Sequence, residues 1–78
     1  MRKALITAAA TGIGAVVARG ARAAGYEVVV SDILEEEGRA LADKLGATFL
    51  RADLAVEADI VALVRAVGPV HLLVNNGG

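Results

Sequence analysis

The chain has 78 residues, 56% of them apolar, 22% charged and 3% aromatic, with a formal net charge of −1 and no cysteine. This composition fits one small, core-rich domain and excludes a disordered polar chain, a disulfide scaffold and a thiolate metal site. Near-neutral charge without a basic run disfavours nucleic acid and anionic membranes as partners, and no segment approaches the roughly 20 consecutive apolar residues of a membrane span.

In chain order, the first β-like run covers residues 3–7. The apolar stretch after Met1-Arg2-Lys3 is broken too soon by Gly12 and Gly14 for a signal peptide, so a soluble cytoplasmic protein is expected. A helix is predicted over 12–24, with Ile13, Val16, Val17, Gly20 and Ala24 on its apolar face and Gly25 as its stop. The next strand, 27–31, contains Val28-Val29-Val30, a continuous run typical of a strand buried on both faces of a parallel sheet. Residues 35–45 read as a second helix, with Leu34, Gly38, Leu41 and Leu45 at helical spacing and Gly46 ending it. After a strand over 48–52, a third helix over 56–67 repeats Val56, Ile60, Leu63, Val64 and Val67 before Gly68-Pro69. A fourth strand covers 70–75.

Strands and helices thus alternate without room for a linker or a second domain. Right-handed crossovers place strands one, two and three side by side, with the first two helices on one face. If the third helix crosses back, strand four falls beyond strand one, which gives an α/β, Rossmann-like parallel sheet of order 3-2-1-4, a half-domain. Ligands of such sheets bind outside the carboxyl ends of the strands, where the winding reverses. The loop 7–14, Ser31-Asp32, Asp53-Leu54 and Asn75-Asn76-Gly77 all lie at those ends.

In the first loop, Thr7-Ala8-Ala9-Ala10-Thr11-Gly12-Ile13-Gly14, a strand enters and an apolar-striped helix leaves. Its backbone N–H groups would face an anion at a helix N-terminus, with Gly12 admitting a pyrophosphate and Gly14 letting the helix sit close to the sheet. Alternatively, the two glycines simply start a helix in a crowded turn. Asp32 follows Gly12 by 20 positions, at the end of strand two. There a carboxylate can accept hydrogen bonds from an adenosine ribose and repel a 2′-phosphate, which favours NAD over NADP. It can also cap the second helix, with Glu35 completing a capping box.

Together these segments resemble the amino-terminal, cofactor-binding half of the short-chain dehydrogenase/reductase family. Thr7 to Gly14 is similar to that family's T-G-x-x-x-G-I-G loop, Asp53-Leu54 to its acidic-aliphatic pair after strand three, and Val74-Asn75-Asn76-Gly77-Gly78 to its N-N-A-G segment. The resemblance implies NAD as cofactor, with pyrophosphate and adenosine contacts from Ala8 through Gly14, especially Thr11, Gly12 and Ile13. It implies ribose selection by Asp32 with backbone help from Ile33, adenine contacts from Asp53 and Leu54, and a groove lined by Asn76 and Gly77, while Asn75 braces the sheet. Asp53 could instead be the N-cap of the third helix, and the asparagines a polar strand end. Ala8 departs from the family's first glycine; should that residue need positive φ, alanine costs on the order of 1 kcal/mol. Gly77 replaces the usual alanine.

Hydride transfer in the family relies on a Tyr-x-x-x-Lys pair and an upstream serine in a later segment. Here the single tyrosine, Tyr26, is followed four residues on by Val30, and the single serine is Ser31, so no catalytic residue is assigned. Tyr26 and His71 read as structural residues, and Glu35-Glu36-Glu37 as the first turn of a helix. The parent activity implied is oxidation of an alcohol or reduction of a carbonyl. A nucleotide-binding module without chemistry, or a self-associating structural fragment, are the alternatives. Self-association is expected through strand 70–74, which would offer an unpaired edge, or through helix 56–67.

Overall fold

The computed structural model describes residues 2–76 as alternating strands and helices: β1 (Lys3–Thr7), α1 (Gly12–Ala23), β2 (Glu27–Asp32), α2 (Glu35–Leu45), β3 (Thr48–Arg51), α3 (Glu57–Val67) and β4 (Leu72–Asn75). Every strand pair is parallel and the order is β3-β2-β1-β4, the Rossmann-like arrangement expected from right-handed crossovers. Leu5 stands opposite Val29 on one side and Leu73 on the other. The two central strands are sealed on both faces: Ala4, Leu5, Ile6 and Val28, Val29, Val30 are all buried.

Side-chain alternation divides the sheet into two cores. Ala4, Ile6, Val28 and Val30 meet Ala15, Ala18 and Ala21 of α1 and Leu41 and Ala42 of α2. On the opposite face Leu5, Val29 and Ala52 meet Leu63 and Val67 of α3. The first two helices therefore share a face, as predicted.

The buried stripe of α1 differs from the one the apolar spacing predicts. Gly14, Ala15, Ala18 and Ala21 face the sheet, whereas Ile13 and Val16 are 73% and 63% exposed. Small residues three and four apart let the helix axis approach the sheet, and Ile13 and Val16 turn outward, while the half-buried Val17 packs against the core. In α3 only Leu63 and Val67 are buried, while Val56, Ile60 and Val64 remain exposed, since this helix meets its face of the sheet along a single row. In α2 the predicted stripe holds at Gly38, Leu41 and the half-buried Leu45, but Leu34 is the exposed N-cap.

Element ends shift by one or two residues. Asp32 belongs to β2, Ala52 lies just beyond β3, Val56 is the N-cap of α3, and Val70 and His71 precede β4. His71 still clips the sheet: its backbone N–H donates to the Lys3 carbonyl at 2.9 Å, and its Nδ1 accepts the Lys3 N–H at 3.1 Å. Two cations sit on helix C-termini, Lys3 Nζ on the Val67 carbonyl and Arg22 Nε on the Leu45 carbonyl, each at 2.9 Å.

Candidate functional site

The carboxyl ends of β1 and β4 are tied by one hydroxyl. Thr7 Oγ1 donates to Asn75 Oδ1 at 3.1 Å and accepts the Asn76 N–H at 3.2 Å. Asn75 thereby braces the sheet, and the exposed Asn76 reaches from β4 to the first loop, its Nδ2 donating to the Ala8 carbonyl at 3.4 Å. Beyond Thr7 the chain turns sharply at Ala8, whose φ of 51° lies in the left-handed region. The strain anticipated for alanine at this position is therefore present.

The rest of the turn leans on β2. The Ala9 N–H donates to the Ser31 carbonyl at 3.1 Å, and the Ala10 N–H donates to Asp32 Oδ2 at 3.0 Å. Thr11 then caps α1 in extended conformation with no side-chain capping bond, and the first turn of α1 carries no acidic residue. Its leading amides therefore lack both an intrahelical acceptor and a capping oxygen, at the positive end of the helix. Gly12 has φ 63°, and a Cβ built on it would meet nothing within 4 Å, so this corner is open. Gly14 is the reverse: a Cβ there would run into the Ala8 carbonyl oxygen and lie 2.8 Å from Ala9 Cα. Gly14 lets the helix rest on the loop and does not itself face outward.

Asp32 joins two turns. Its Oδ2 holds Ala10 and its Oδ1 accepts the Leu34 N–H at 3.0 Å. The capping box imagined between Asp32 and Glu35 is not formed, because Leu34 is the N-cap of α2 and Asp32 lies two residues earlier. A carboxylate has about four acceptor positions, so each oxygen keeps capacity for another donor. The residue borders a cleft of ≈ 180 Å³ together with Ala8, Ile33, Ala52, Asp53, Leu54 and Ala55.

The loop after β3 forms the far wall. Asp53 is not the N-cap of α3; its Oδ1 accepts the Ala55 N–H and its carbonyl the Val56 N–H, both at 2.9 Å, which folds the loop on itself. Asp59, in the first turn of α3, reaches back to accept the Asp53 N–H at 2.9 Å and pairs with Arg51 at 3.3 Å. Sequence reasoning missed Asp59. An acid at the third helical position, placed to reach back over the preceding turn, was the available signal. It also missed the bond from the Ala10 N–H to Asp32, although Ala10 falls within the predicted contact loop, and the lining residues Ala52 and Ala55.

Of the residues singled out from the sequence, Ala8, Asp32, Ile33, Asp53 and Leu54 converge on one cleft. Thr11, Gly12 and Ile13 stand exposed at the adjoining helix end, Gly14 is buried behind the loop, and Asn76 holds the loop from the β4 side. Gly77 lies outside the described residues. Tyr26 sits at the opposite end of β2, half-buried against the core beneath Arg2, whose guanidinium is 5.1 Å from the ring centroid. Among the described residues no group of carboxylates and histidine is placed to hold a metal ion, and no helix is long and apolar enough to cross a membrane.

The same residues can be set beside known proteins. The family model described as short chain dehydrogenase matches residues 2–78. The chain is 43% identical over 79 residues to an L-fucose dehydrogenase of Oryctolagus cuniculus, covering 95% of this chain and 28% of that protein. It is 40% identical to the short-chain dehydrogenase reductase ATA1 of Arabidopsis thaliana, covering 96% of this chain and 29% of that one. A solved short chain dehydrogenase/reductase family protein superposes with a TM-score of 0.95 at 34% identity, covering 99% of this chain and 34% of its own. The chain thus spans about a third of the length of these relatives.

Proposed function

The chain belongs to the short-chain dehydrogenase family, whose members bind nicotinamide dinucleotides, and on that premise we propose that its cleft holds the adenosine diphosphate half of NAD. The supporting observation is Asp32, whose carboxylate bridges the turn after β1 and the turn after β2. The residues present fit the group. Unsatisfied amides at the start of α1, the open corner at Gly12 and the missing acid in that first turn suit a pyrophosphate. Asp32 offers its remaining acceptor positions to ribose hydroxyls, while Ile33, Leu54 and the two alanines of the 52–55 loop give an adenine ring apolar surface. Asp53 accepts from donors at the ring edge.

Two carboxylates, Asp32 and Asp53, border this cleft. A 2′-phosphate brought there would meet like charge in a partly desolvated space, so the proposed cofactor is NAD and not NADP. Once bound, the nicotinamide supplies a hydride acceptor or donor. This chain's part is to bind and orient: Thr11, Gly12 and Ile13 hold the diphosphate, and Asn76 lines the side toward β4. The activity proposed for the protein is oxidation of an alcohol or reduction of a carbonyl. None of the 78 residues is assigned to the proton transfer that such a reaction requires, Tyr26 being at the wrong end of β2.

Calorimetric titration tests this reading. NAD should bind, NADP should bind at least tenfold more weakly, and Asp32→Ala should weaken NAD at least tenfold while narrowing the difference between the two. Equal affinity of wild type and Asp32→Ala for NAD would refute it.

A second reading, self-association, draws on a different surface. Val64 and Leu73 are 60% and 58% exposed, and with Leu5, Leu54, Ile60 and Leu63 they line an apolar cleft of ≈ 330 Å³ beside β4. For the 78-residue chain the simplest outcome is a twofold dimer that buries β4 or the α3 face. A monomeric sedimentation profile at high micromolar concentration would exclude it.

A further inference from the structure

We propose that Asp59 is a positioning residue that gives the cleft its preference for an adenine base; this rests on the nucleotide reading above. Asp59 does not border the cleft of ≈ 180 Å³, whereas the run Ala52-Asp53-Leu54-Ala55 forms one wall of it. It stands in the first turn of α3, and its Oδ2 accepts two donors, the Asp53 N–H at 2.9 Å and Arg51 Nη1 at 3.3 Å. One carboxylate oxygen thus joins the last residue of β3 to the loop that follows it.

The other bonds of this loop leave its placement to Asp59. The Ala52 N–H is tied to the Asp32 carbonyl at 3.2 Å, which fixes where the loop leaves the sheet. Within the loop, Asp53 Oδ1 accepts the Ala55 N–H and the Asp53 carbonyl accepts the Val56 N–H. Those two bonds give the turn its shape and move with it as a unit. Leu54 packs against the apolar cluster of Leu63 and Val67, a contact without direction. The bond to Asp59 is directional and charge-assisted, and it comes from a helix already seated on the sheet.

The same bonds decide what Asp53 has to give. With its N–H, carbonyl and Oδ1 engaged, Oδ2 is the one polar atom of Asp53 without a hydrogen-bond partner among the described residues. A carboxylate accepts and does not donate. Oδ2 therefore suits the 6-amino group of adenine and opposes a carbonyl oxygen at that position, as in hypoxanthine. Without Asp59 the turn keeps its shape but loses its place, and the discrimination between the two bases goes with it.

The test is calorimetry on the full chain with ADP and with inosine 5′-diphosphate, which carries a carbonyl oxygen where adenine has its amino group. Thermal unfolding is followed in parallel. Wild type should prefer ADP by about tenfold, and Asp59→Ala should reduce that preference to about twofold, chiefly by weakening ADP. Asp59→Ser, too short to reach the Asp53 N–H, should do the same and decides the matter if Asp59→Ala does not fold. Asp59→Asn keeps an acceptor oxygen in place and should keep the preference; so should Arg51→Ala, which removes the ion pair alone. Equal weakening of both diphosphates in Asp59→Ala and Asp59→Ser, or a lower unfolding midpoint with the preference intact, would make Asp59 a purely structural residue and overturn the proposal. A wild type that binds ADP and inosine diphosphate equally would overturn it too. In each of these cases ADP still binds and the nucleotide reading stands, whereas a wild type that binds neither diphosphate removes both.

Discussion

On one face of the sheet two helices, α1 through alanines and α2 through Leu41 and Ala42, press against Ala4, Ile6, Val28 and Val30, none more than 2% exposed. On the other face α3 alone covers Leu5 and Val29, and Ile60, Val61, Val64 and Leu73 stay between 39% and 60% exposed. The contrast shows where positional accuracy is spent. The turn that meets Asp32 is gripped from behind by α1 at Gly14, with backbone against backbone, and a helix built on alanine can come that close. The α3 face has no such contact with the cleft. It touches the cleft through side chains, with Leu63 and Val67 behind Ala52 and Leu54, and through Asp59, which shapes the loop at Asp53 from outside.

The difference can be broken or sharpened by substitution. Ile6→Ala, in the face covered by two helices, should cost about 4 kcal/mol of stability, while Leu63→Ala, in the face covered by one, should cost about 2 kcal/mol because its surroundings can close in. Urea unfolding of the two variants measures this, and equal losses would remove the asymmetry. Gly14→Ala should cost about 2 kcal/mol, since the added carbon meets only backbone and α1 must lift from the loop; nucleotide affinity should fall with it. Ser31→Ala lies at the small end. The Ser31 hydroxyl is buried without a hydrogen-bond partner, so its removal should leave stability unchanged or raise it by up to about 1 kcal/mol, read from the unfolding midpoint.

Much of this was readable from the sequence, and what was not has physical causes. The strand order followed from helix and strand alternation plus handedness, and the continuous valines of β2 announced a strand covered on both faces. Asp32 was found from its distance to Gly12, because the length of a βαβ unit is fixed by the fold. The stripe of α1 was misread because hydrophobicity favours Ile13 and Val16, whereas closeness to the sheet favours Ala15, Ala18 and Ala21; side-chain size decided, not polarity. The bond between Ala10 and Asp32 was not foreseen, since any residue supplies the N–H that Asp32 accepts. Asp32 (with Glu35) and Asp53 were offered capping roles, but the N-caps are Leu34 and Val56, two and three residues further along the chain.

The convergence of two turns on one ligand is tested most directly by following backbone amide resonances while ADP is added. The amides of Ala10, Gly12, Ile13, Ile33 and Leu54 should shift together along one saturation curve, with those of α3 from Ile60 to Val67 unmoved. Shifts confined to the start of α1, or centred on α3 and β4, would contradict a shared adenosine diphosphate site.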